Sequence, residues 1–222
     1  MANYRIVVPY FLKKEGGLSR ATTDTASRNP SPCVYNGQTG WHTNKGVTWT
    51  TFKSLAPQLN YNPSCENFLT MPAEIWGKIF KKGYWDYWDG DRIPFQAVAD
   101  FMTWTVWGSG AYGSRNFLRK FLRDQYGIIK DTSDRNGIRA ELMRLAEKNE
   151  RKLWEELIQY RWNWYVTLNQ PANLRGWRRS LENYKVWGLD TYSFGAKKKY
   201  LILAGLILAG SVYGITLLKE KR

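Results

Sequence analysis

Residues capable of acid–base chemistry lie close together within the first 48 residues of the chain. Glu15 precedes Gly16 and Gly17, Asp24 follows nine residues after Glu15, and the run Thr43–Thr48 supplies hydroxyl groups. One carboxyl that acts as general acid, together with an ionised carboxyl that holds or activates water, is the minimum set for cleaving a glycosidic bond. The alternative interpretation is structural: Glu15 is a solvated residue beside a glycine helix stop, and Asp24 caps a loop.

The elements around these residues follow from local patterns. The apolar stretch Tyr4–Leu12 predicts a helix over about 3–15 that ends where Glu15 reaches the rim of a cleft, although Pro9 indicates a bend or a late start. Residues 16–45 are rich in Gly, Ser, Thr, Asn and Pro, which predicts a long loop or a small strand-bearing lobe. A helix is expected within 47–55, with Thr48 as its cap.

The rest of the predicted soluble part is helical. An amphipathic pattern over 71–83 places four apolar side chains on one face, namely Ile75, Trp76, Ile79 and Phe80. Further helices are predicted over about 94–107, closed by Gly108-Ser109-Gly110, then over 113–125 and 136–166. The fold class expected is mainly α, with the long loop or small β-lobe near the N-terminus.

The C-terminal end has a different character. Tyr200–Leu218 is a run of nineteen uncharged residues, flanked by Lys197-Lys198-Lys199 and by the basic residues of 219–222. As a helix this run measures about 28 Å, which matches the hydrocarbon thickness of a bilayer. We predict a transmembrane helix within 196–222 rather than a buried core helix. Because basic residues flank both ends, its orientation stays open.

Charge and cysteine usage restrict the function classes. The chain carries 33 Lys and Arg against 19 Asp and Glu, a net charge of +14, which attracts polyanions. No nucleic-acid-binding motif accompanies this charge, so an anionic wall polymer or a membrane surface is the expected partner, not nucleic acid. With His42 as the one histidine, we predict neither a metal site nor a cofactor. Cys33 and Cys65 either form a disulfide or remain thiols.

Five motifs occur in an order that resembles glycoside hydrolase family 108. They are Glu15-Gly16-Gly17, Thr43-Asn44-Lys45-Gly46-Val47-Thr48, Tyr84-Trp85-Asp86, Gly108-Ser109-Gly110 and Gly176-Trp177-Arg178-Arg179. Family members are N-acetylmuramidases, mostly of phages and prophages, and the run 8–15 looks like that of members from Bacteroidetes and their phages. The resemblance implies a lysozyme-like catalytic domain over 1–125 and a helical subdomain over 126–195, a degenerate wall-binding region before the transmembrane helix of 196–222.

The resemblance also assigns roles to residues. Glu15 falls on the catalytic acid, while Asp24 and Thr43 fall on the pair that positions the attacking water. We expect His42, next to Thr43, at the surface. The side chains predicted to contact substrate, by sugar stacking for the aromatic ones, are Asn44, Thr48, Tyr84, Trp85, Trp107 and Ser109. Among these, Trp85 is also a candidate core residue.

Departures from the family pattern leave two functions open. Ala21-Thr22 replaces an expected Asp-Pro pair, Trp104 replaces an aspartate and Gly108 an asparagine, which indicates weakened wall binding, altered substrate preference or a decayed enzyme. The first function is a peptidoglycan hydrolase that cleaves the β-1,4 bond between N-acetylmuramic acid and N-acetylglucosamine, for phage lysis or wall penetration. The second is an inactive lysozyme-like binding or structural protein. The expected partners are glycan strands, the membrane through 200–218, and a holin or virion protein; the expected location is the host inner membrane or cell envelope, alternatively the virion.

Overall fold

The computed structural model describes residues 1–130 and 132–194, and these residues are mainly helical. The chain divides into two compact units, Met1–Tyr160 and Arg161–Arg222. In the described residues the elements are α1 (Tyr4–Lys14), β1 (Leu18–Ser19), β2 (Thr43–Asn44), β3 (Val47–Thr48), α2 (Trp49–Leu55), α3 (Cys65–Leu69), α4 (Ala73–Phe80), α5 (Gln96–Tyr126), α6 (Arg135–Thr167) and α7 (Pro171–Thr191). The domain boundaries predicted at 125 and 195 stay predictions.

Helix α1 forms where the sequence predicts it. Asn3 caps its first turn by accepting a hydrogen bond from the Arg5 amide, and its inner face buries Val7 and Phe11. The helix runs through Pro9, which is exposed, so the carbonyl deprived of its helical hydrogen bond can be solvated. It ends because Glu15 adopts an extended conformation while its amide still donates to the Phe11 carbonyl.

The glycine-rich segment after α1 is a strand-bearing lobe, one of the two predicted forms. β1 pairs antiparallel with β2, and β2 pairs antiparallel with β3. The connection between β2 and β3 is a two-residue turn in which Lys45 and Gly46 both have positive φ, +47° and +76°. Such a turn matches the twist of the paired strands. Thr48 then caps α2 as predicted, its hydroxyl oxygen accepting from the Thr51 amide.

A disulfide between Cys33 and Cys65 joins this lobe to α3. The loop that it closes spans 32 residues of sequence. Between β1 and β2 this segment contains one short 3₁₀ helix, Thr25–Arg28, and the isolated bridge of Tyr35 with Gln38. Through Cys33 the bond anchors this segment, which has little regular structure of its own, to α3; the closed loop also contains β2, β3 and α2.

Removing the disulfide is expected to lower the free energy of unfolding by about 3.7 kcal/mol, the loop-closure entropy for a loop of this length. Denaturant unfolding of the oxidised protein and of the Cys33→Ser/Cys65→Ser variant measures the difference. A reducing agent should shift the midpoint of the parent protein and leave that of the variant unchanged. Coinciding midpoints for parent and variant in the absence of reductant would contradict the expectation.

The helical core partly follows the predicted boundaries. Of the four side chains predicted on one face of α4, Trp76, Ile79 and Phe80 are buried and Ile75 is half-buried. The α-helix ends at Phe80, and a π turn over Lys81–Trp85 follows it. The two helices predicted on either side of Gly108-Ser109-Gly110 are both present within α5, and Gly110, with φ +67° and ψ 174°, interrupts the helical geometry between them. The interruption is confined to one residue of the predicted three.

The second unit is described through residue 194. Within it, the Trp177 ring packs on Tyr165 with a centroid distance of 5.3 Å, and the Arg178 guanidinium lies 4.7 Å from the centre of the Trp162 ring. No helix in residues 1–130 and 132–194 is long and apolar enough to cross a membrane. The transmembrane helix predicted for 200–218 lies outside the described residues.

Candidate active site

Glu15 lies at the end of the buried stripe of α1. It follows Phe11 by four residues, as Phe11 follows Val7, so the three positions share one helix face. The Glu15 side chain is 19% exposed, which differs from the solvated glutamate of the structural interpretation. Its position at the first non-helical residue places a carboxyl at the boundary between core and solvent.

Trp107 fixes the orientation of this carboxyl. The indole Nε1–H donates a hydrogen bond to Glu15 Oε1 over 2.9 Å. The Trp107 ring is itself held by aromatic neighbours with centroid distances of 4.6 to 5.6 Å, namely Phe11, Trp76, Phe80 and Tyr84. Lys14 Nζ lies 3.6 Å from the same Glu15 oxygen. The Trp107 N–H and the Lys14 ammonium therefore both face Oε1, and neither of them occupies Oε2.

Gly46 packs directly against the carboxyl. A Cβ at this position would lie 2.4 Å from Trp107 Cζ2 and 2.7 Å from Glu15 Oε2, closer than van der Waals contact allows. Gly46 also has the left-handed φ of +76° that the turn between β2 and β3 requires. The turn geometry and the close approach thus both demand glycine at this position.

Hydrogen bonds hold the turn in this position. Trp76 Nε1 donates to the Lys45 carbonyl over 2.8 Å, and Lys45 Nζ donates to the Met71 carbonyl over 2.7 Å. Asn44 is buried, and its amide donates to the Phe68 carbonyl over 2.6 Å. Asn44, predicted to contact substrate, therefore anchors the hairpin to α3, because burial and this bond occupy its side chain.

Tyr84 and Thr48 belong to a hydroxyl chain beside Glu15. The Thr48 hydroxyl donates to Thr51 Oγ1 over 2.9 Å. Burial raises the pKa of Tyr84, a hydrogen bond with Thr51 lowers it in part, and the negative charge of Glu15 raises it further. Tyr84 consequently keeps its proton at neutral pH. The Tyr84 ring lies 4.6 Å from that of Trp107, so it supports the residue that orients Glu15.

Asp24 and Thr43 have local partners. Asp24 is exposed and caps the 3₁₀ helix, with Oδ1 accepting from the Ala26 amide over 2.9 Å. Thr43 is 7% exposed, and its Oγ1 lies 2.8 Å from His42 Nδ1. Across residues 1–130 and 132–194, no hydrogen bond or ion pair connects Asp24 or Thr43 with Glu15.

His42 is buried, so the prediction of a surface position is wrong. Its Nε2 lies 3.2 Å from the Ala21 carbonyl, which can only accept, and Nε2 therefore carries a proton. In the neutral ring Nδ1 is then an acceptor, and the Thr43 hydroxyl donates to it. The two hydrogen bonds satisfy a buried imidazole and tie the start of the lobe to β2.

The remaining residues predicted to contact substrate, Trp85 and Ser109, differ in their burial. Trp85 is 0% exposed and its Nε1 donates to Asp91 Oδ1, so it is a core residue and cannot stack on a sugar. Ser109 is exposed two residues beyond Trp107 on α5. In the described part of the chain, His, Cys, Asp and Glu side chains do not gather into a group of three that could hold a metal ion.

Three contributors to the site were not among the predicted site residues: Lys14, Gly46 and Thr51. Gly46 lies inside the motif Thr43–Thr48. A two-residue hairpin turn could have been inferred from Lys45-Gly46 between two β-branched positions. No local pattern reveals its contact with Glu15, because 31 residues separate the two positions.

Replacing Trp107 by Phe is expected to lower the turnover number of a glycan-cleaving reaction roughly 10–100-fold, because a hydrogen bond to a charged group contributes about 1.5–3 kcal/mol. Phe keeps most ring contacts, so KM should change little, whereas a general loss of fold would affect both constants. Steady-state kinetics of Trp107→Phe beside Trp177→Phe, a change in the second unit, measure this. An unchanged turnover number in Trp107→Phe would contradict the positioning role.

This chain matches a protein family model and is similar to a solved structure. The family model described as Glycosyl hydrolase 108 matches residues 8–110, just under half of the chain, and this segment contains Glu15, Gly46 and Trp107. No curated protein sequence matches significantly. The structure of Brucella abortus SagA is similar over 85% of this chain and 94% of that chain, with 17% sequence identity and a TM-score of 0.54, a likeness of fold alone. The comparisons thus support, for residues 8–110, the glycoside hydrolase family that the sequence motifs indicate.

Proposed function

We propose that the protein is a peptidoglycan hydrolase, an N-acetylmuramidase that cleaves the β-1,4 bond between N-acetylmuramic acid and N-acetylglucosamine. The observation that carries the proposal is Glu15, part-buried and oriented by Trp107 within the segment that matches a glycoside hydrolase family. The excess of positive charge, +14, favours an anionic wall polymer as substrate over a neutral glycan.

In this mechanism Glu15 is the general acid. Oε1 accepts from Trp107 Nε1, so the transferable proton resides on Oε2 and passes to the glycosidic oxygen as the bond breaks. The carboxylate that results is stabilised by Trp107 N–H and by Lys14, 3.6 Å from Oε1.

Asp24 is the proposed partner that orients the attacking water or supports the developing positive charge. Its exposure leaves the carboxylate accessible from solvent, and the cap to Ala26 occupies Oδ1. Thr43 is proposed to position the same water. Its hydroxyl proton goes to His42, so its remaining capacity is that of an acceptor.

We further propose that the C-terminal segment 200–218 anchors the enzyme in the host inner membrane or cell envelope, or on a virion. This proposal is based on the uncharged length of the segment and its basic flanks. The proposed biological role of such an anchored enzyme is phage lysis or wall penetration, with a holin or a virion protein as partner. The N-terminal run 8–15 is the feature that favours a Bacteroidetes-type member.

Release of reducing sugar ends from purified peptidoglycan by the full-length chain tests the proposed function. Increasing release with time and enzyme concentration is the expected result, with the heat-denatured protein as the control. The second candidate is a non-catalytic binding protein, favoured by Trp104, a buried residue where the family carries an aspartate. Folded protein that pulls down with sacculi yet releases no ends from walls of several chemotypes would establish that candidate instead.

A further inference from the structure

A concave surface lies on the lobe, and its lining residues are distinct from those that hold Trp107 and Glu15. It is a cleft of about 560 Å³ between the segment after the 3₁₀ helix and the outer side of α2. Arg28 and Asn29 line one wall, and Trp49, Thr50 and Lys53 line the other. We call it the Arg28–Lys53 cleft. None of these residues takes part in the acid–base chemistry of Glu15.

The charged side chains that line the cleft are all cationic. Its lining contains two cationic side chains, Arg28 and Lys53, and no carboxylate. In residues 1–130 and 132–194 neither cation forms an ion pair, and Lys53 Nζ lies 5.9 Å from the centre of the Trp49 ring. Two unpaired cations that share a concave surface with an indole and amide and hydroxyl groups form a site for a carboxylate carried on a partly apolar chain.

Two short segments of the chain connect the walls of the cleft to Glu15 and Asp24. Gly46 touches the Glu15 carboxyl, and Trp49 follows three residues later, so the Trp49 Cα lies within about 11 Å of the Gly46 Cα. On the other wall, Arg28 is the last residue of the 3₁₀ helix that Asp24 caps. Two different elements therefore connect the cleft to the carboxylates of the proposed reaction.

We propose that the Arg28–Lys53 cleft binds the carboxylate-bearing peptide attached to the muramic acid residue next to the scissile bond. This inference is based on the proposed function, since it assigns the substrate group that the cleft recognises. Arg28 and Lys53 bind the peptide carboxylates, and Asn29 and Thr50 hydrogen-bond to its amides. Trp49, which is largely buried, forms part of the cleft wall. The enzyme then selects peptide-substituted glycan over bare glycan.

Binding to the full-length Glu15→Gln variant tests the cleft without turnover. Calorimetric titration uses two soluble probes, N-acetylglucosaminyl-N-acetylmuramyl-tetrapeptide and the same disaccharide without peptide. We expect the added change Arg28→Gln/Lys53→Gln to weaken binding of the peptide-bearing probe roughly 10–100-fold, because charge-assisted hydrogen bonds are lost. Binding of the peptide-free probe should remain unchanged.

Two further variants make the result specific. Lys82→Gln/Lys148→Gln removes the same charge from exposed positions outside the cleft and should leave both affinities unchanged. Lys53→Arg keeps the charge and should retain binding of the peptide-bearing probe. Circular dichroism and thermal midpoints confirm that each variant folds.

The contrary outcomes separate this proposal from the proposed function. Equal weakening of both probes would make the cleft a saccharide subsite, and no weakening of either would exclude it from substrate binding. Each of these results overturns the peptide assignment while release of reducing ends by the parent enzyme stays intact. A parent protein that neither binds the probes nor releases ends would overturn both proposals together.

Discussion

Replacing Glu15 by Gln is expected to lower the rate of peptidoglycan cleavage roughly 10²–10⁴-fold, the usual contribution of a positioned general acid. Gln has the same size, and its carbonyl oxygen can accept from Trp107 Nε1 as Oε1 does. What the amide lacks is a proton to transfer to the leaving oxygen. Initial rates of reducing-end release measure the change, and the thermal midpoint should stay close to that of the parent.

Glu74→Gln provides the matched control for this prediction. Glu74 is an exposed glutamate on α4 that pairs with Lys78, so the same substitution there removes a carboxylate without touching the site. Its rate should equal that of the parent. A Glu15→Gln variant with more than a tenth of the parental rate would mean that another group donates the proton.

Replacing Gly46 by Ala is expected to abolish most activity and to destabilise the domain. The new Cβ would meet Trp107 at 2.4 Å and Glu15 Oε2 at 2.7 Å, so either the turn or the carboxyl must move. Left-handed backbone costs a non-glycine residue about 1–2 kcal/mol, and overpacking adds roughly 1–3 kcal/mol. We expect a drop of at least about 100-fold in rate, since small displacements of a catalytic group have effects of this size.

Gly40→Ala separates strain from contact. Gly40 has a similar φ of +82°, yet nothing lies within 4 Å of a Cβ built there. The two alanine variants should share the cost of the left-handed backbone and differ in the collision. Denaturant unfolding and initial rates should therefore show a modest loss of stability with full activity for Gly40→Ala. Equal activity in the two variants would show that Gly46 does not constrain Glu15.

Local patterns predicted the elements of the fold better than their endings. The apolar stretch Tyr4–Leu12 predicts a helix that ends near Glu15, and the structure confirms helix α1 over Tyr4–Lys14. The break expected at Gly108-Ser109-Gly110 is one bent residue, because Gly108 and Ser109 can adopt helical geometry and Gly110 alone takes a positive φ. Whether a glycine interrupts a helix depends on the surrounding packing, which a local pattern does not contain.

The contacts of the candidate site were harder to predict from local sequence patterns than the elements of the fold. The residue type and position of Glu15 could be predicted, but its hydrogen bond to Trp107 joins residues 92 positions apart. His42, next to Thr43 in the sequence, was expected at the surface. It is buried because Thr43 and the distant Ala21 carbonyl satisfy both ring nitrogens. These pairings depend on the folded arrangement of the lobe and leave no trace in sequence spacing.

The sugar at the newly formed chain end decides whether the protein is an N-acetylmuramidase. Purified peptidoglycan is digested with the full-length protein, the new reducing ends are reduced with borohydride, and the resulting sugar alcohol is identified by mass spectrometry. An N-acetylmuramidase generates N-acetylmuramic acid at the reducing end, so we expect the muramic acid-derived alcohol, absent from the Glu15→Gln digest. The glucosamine-derived alcohol, an anhydro end that resists reduction, or the absence of any new end would contradict this expectation.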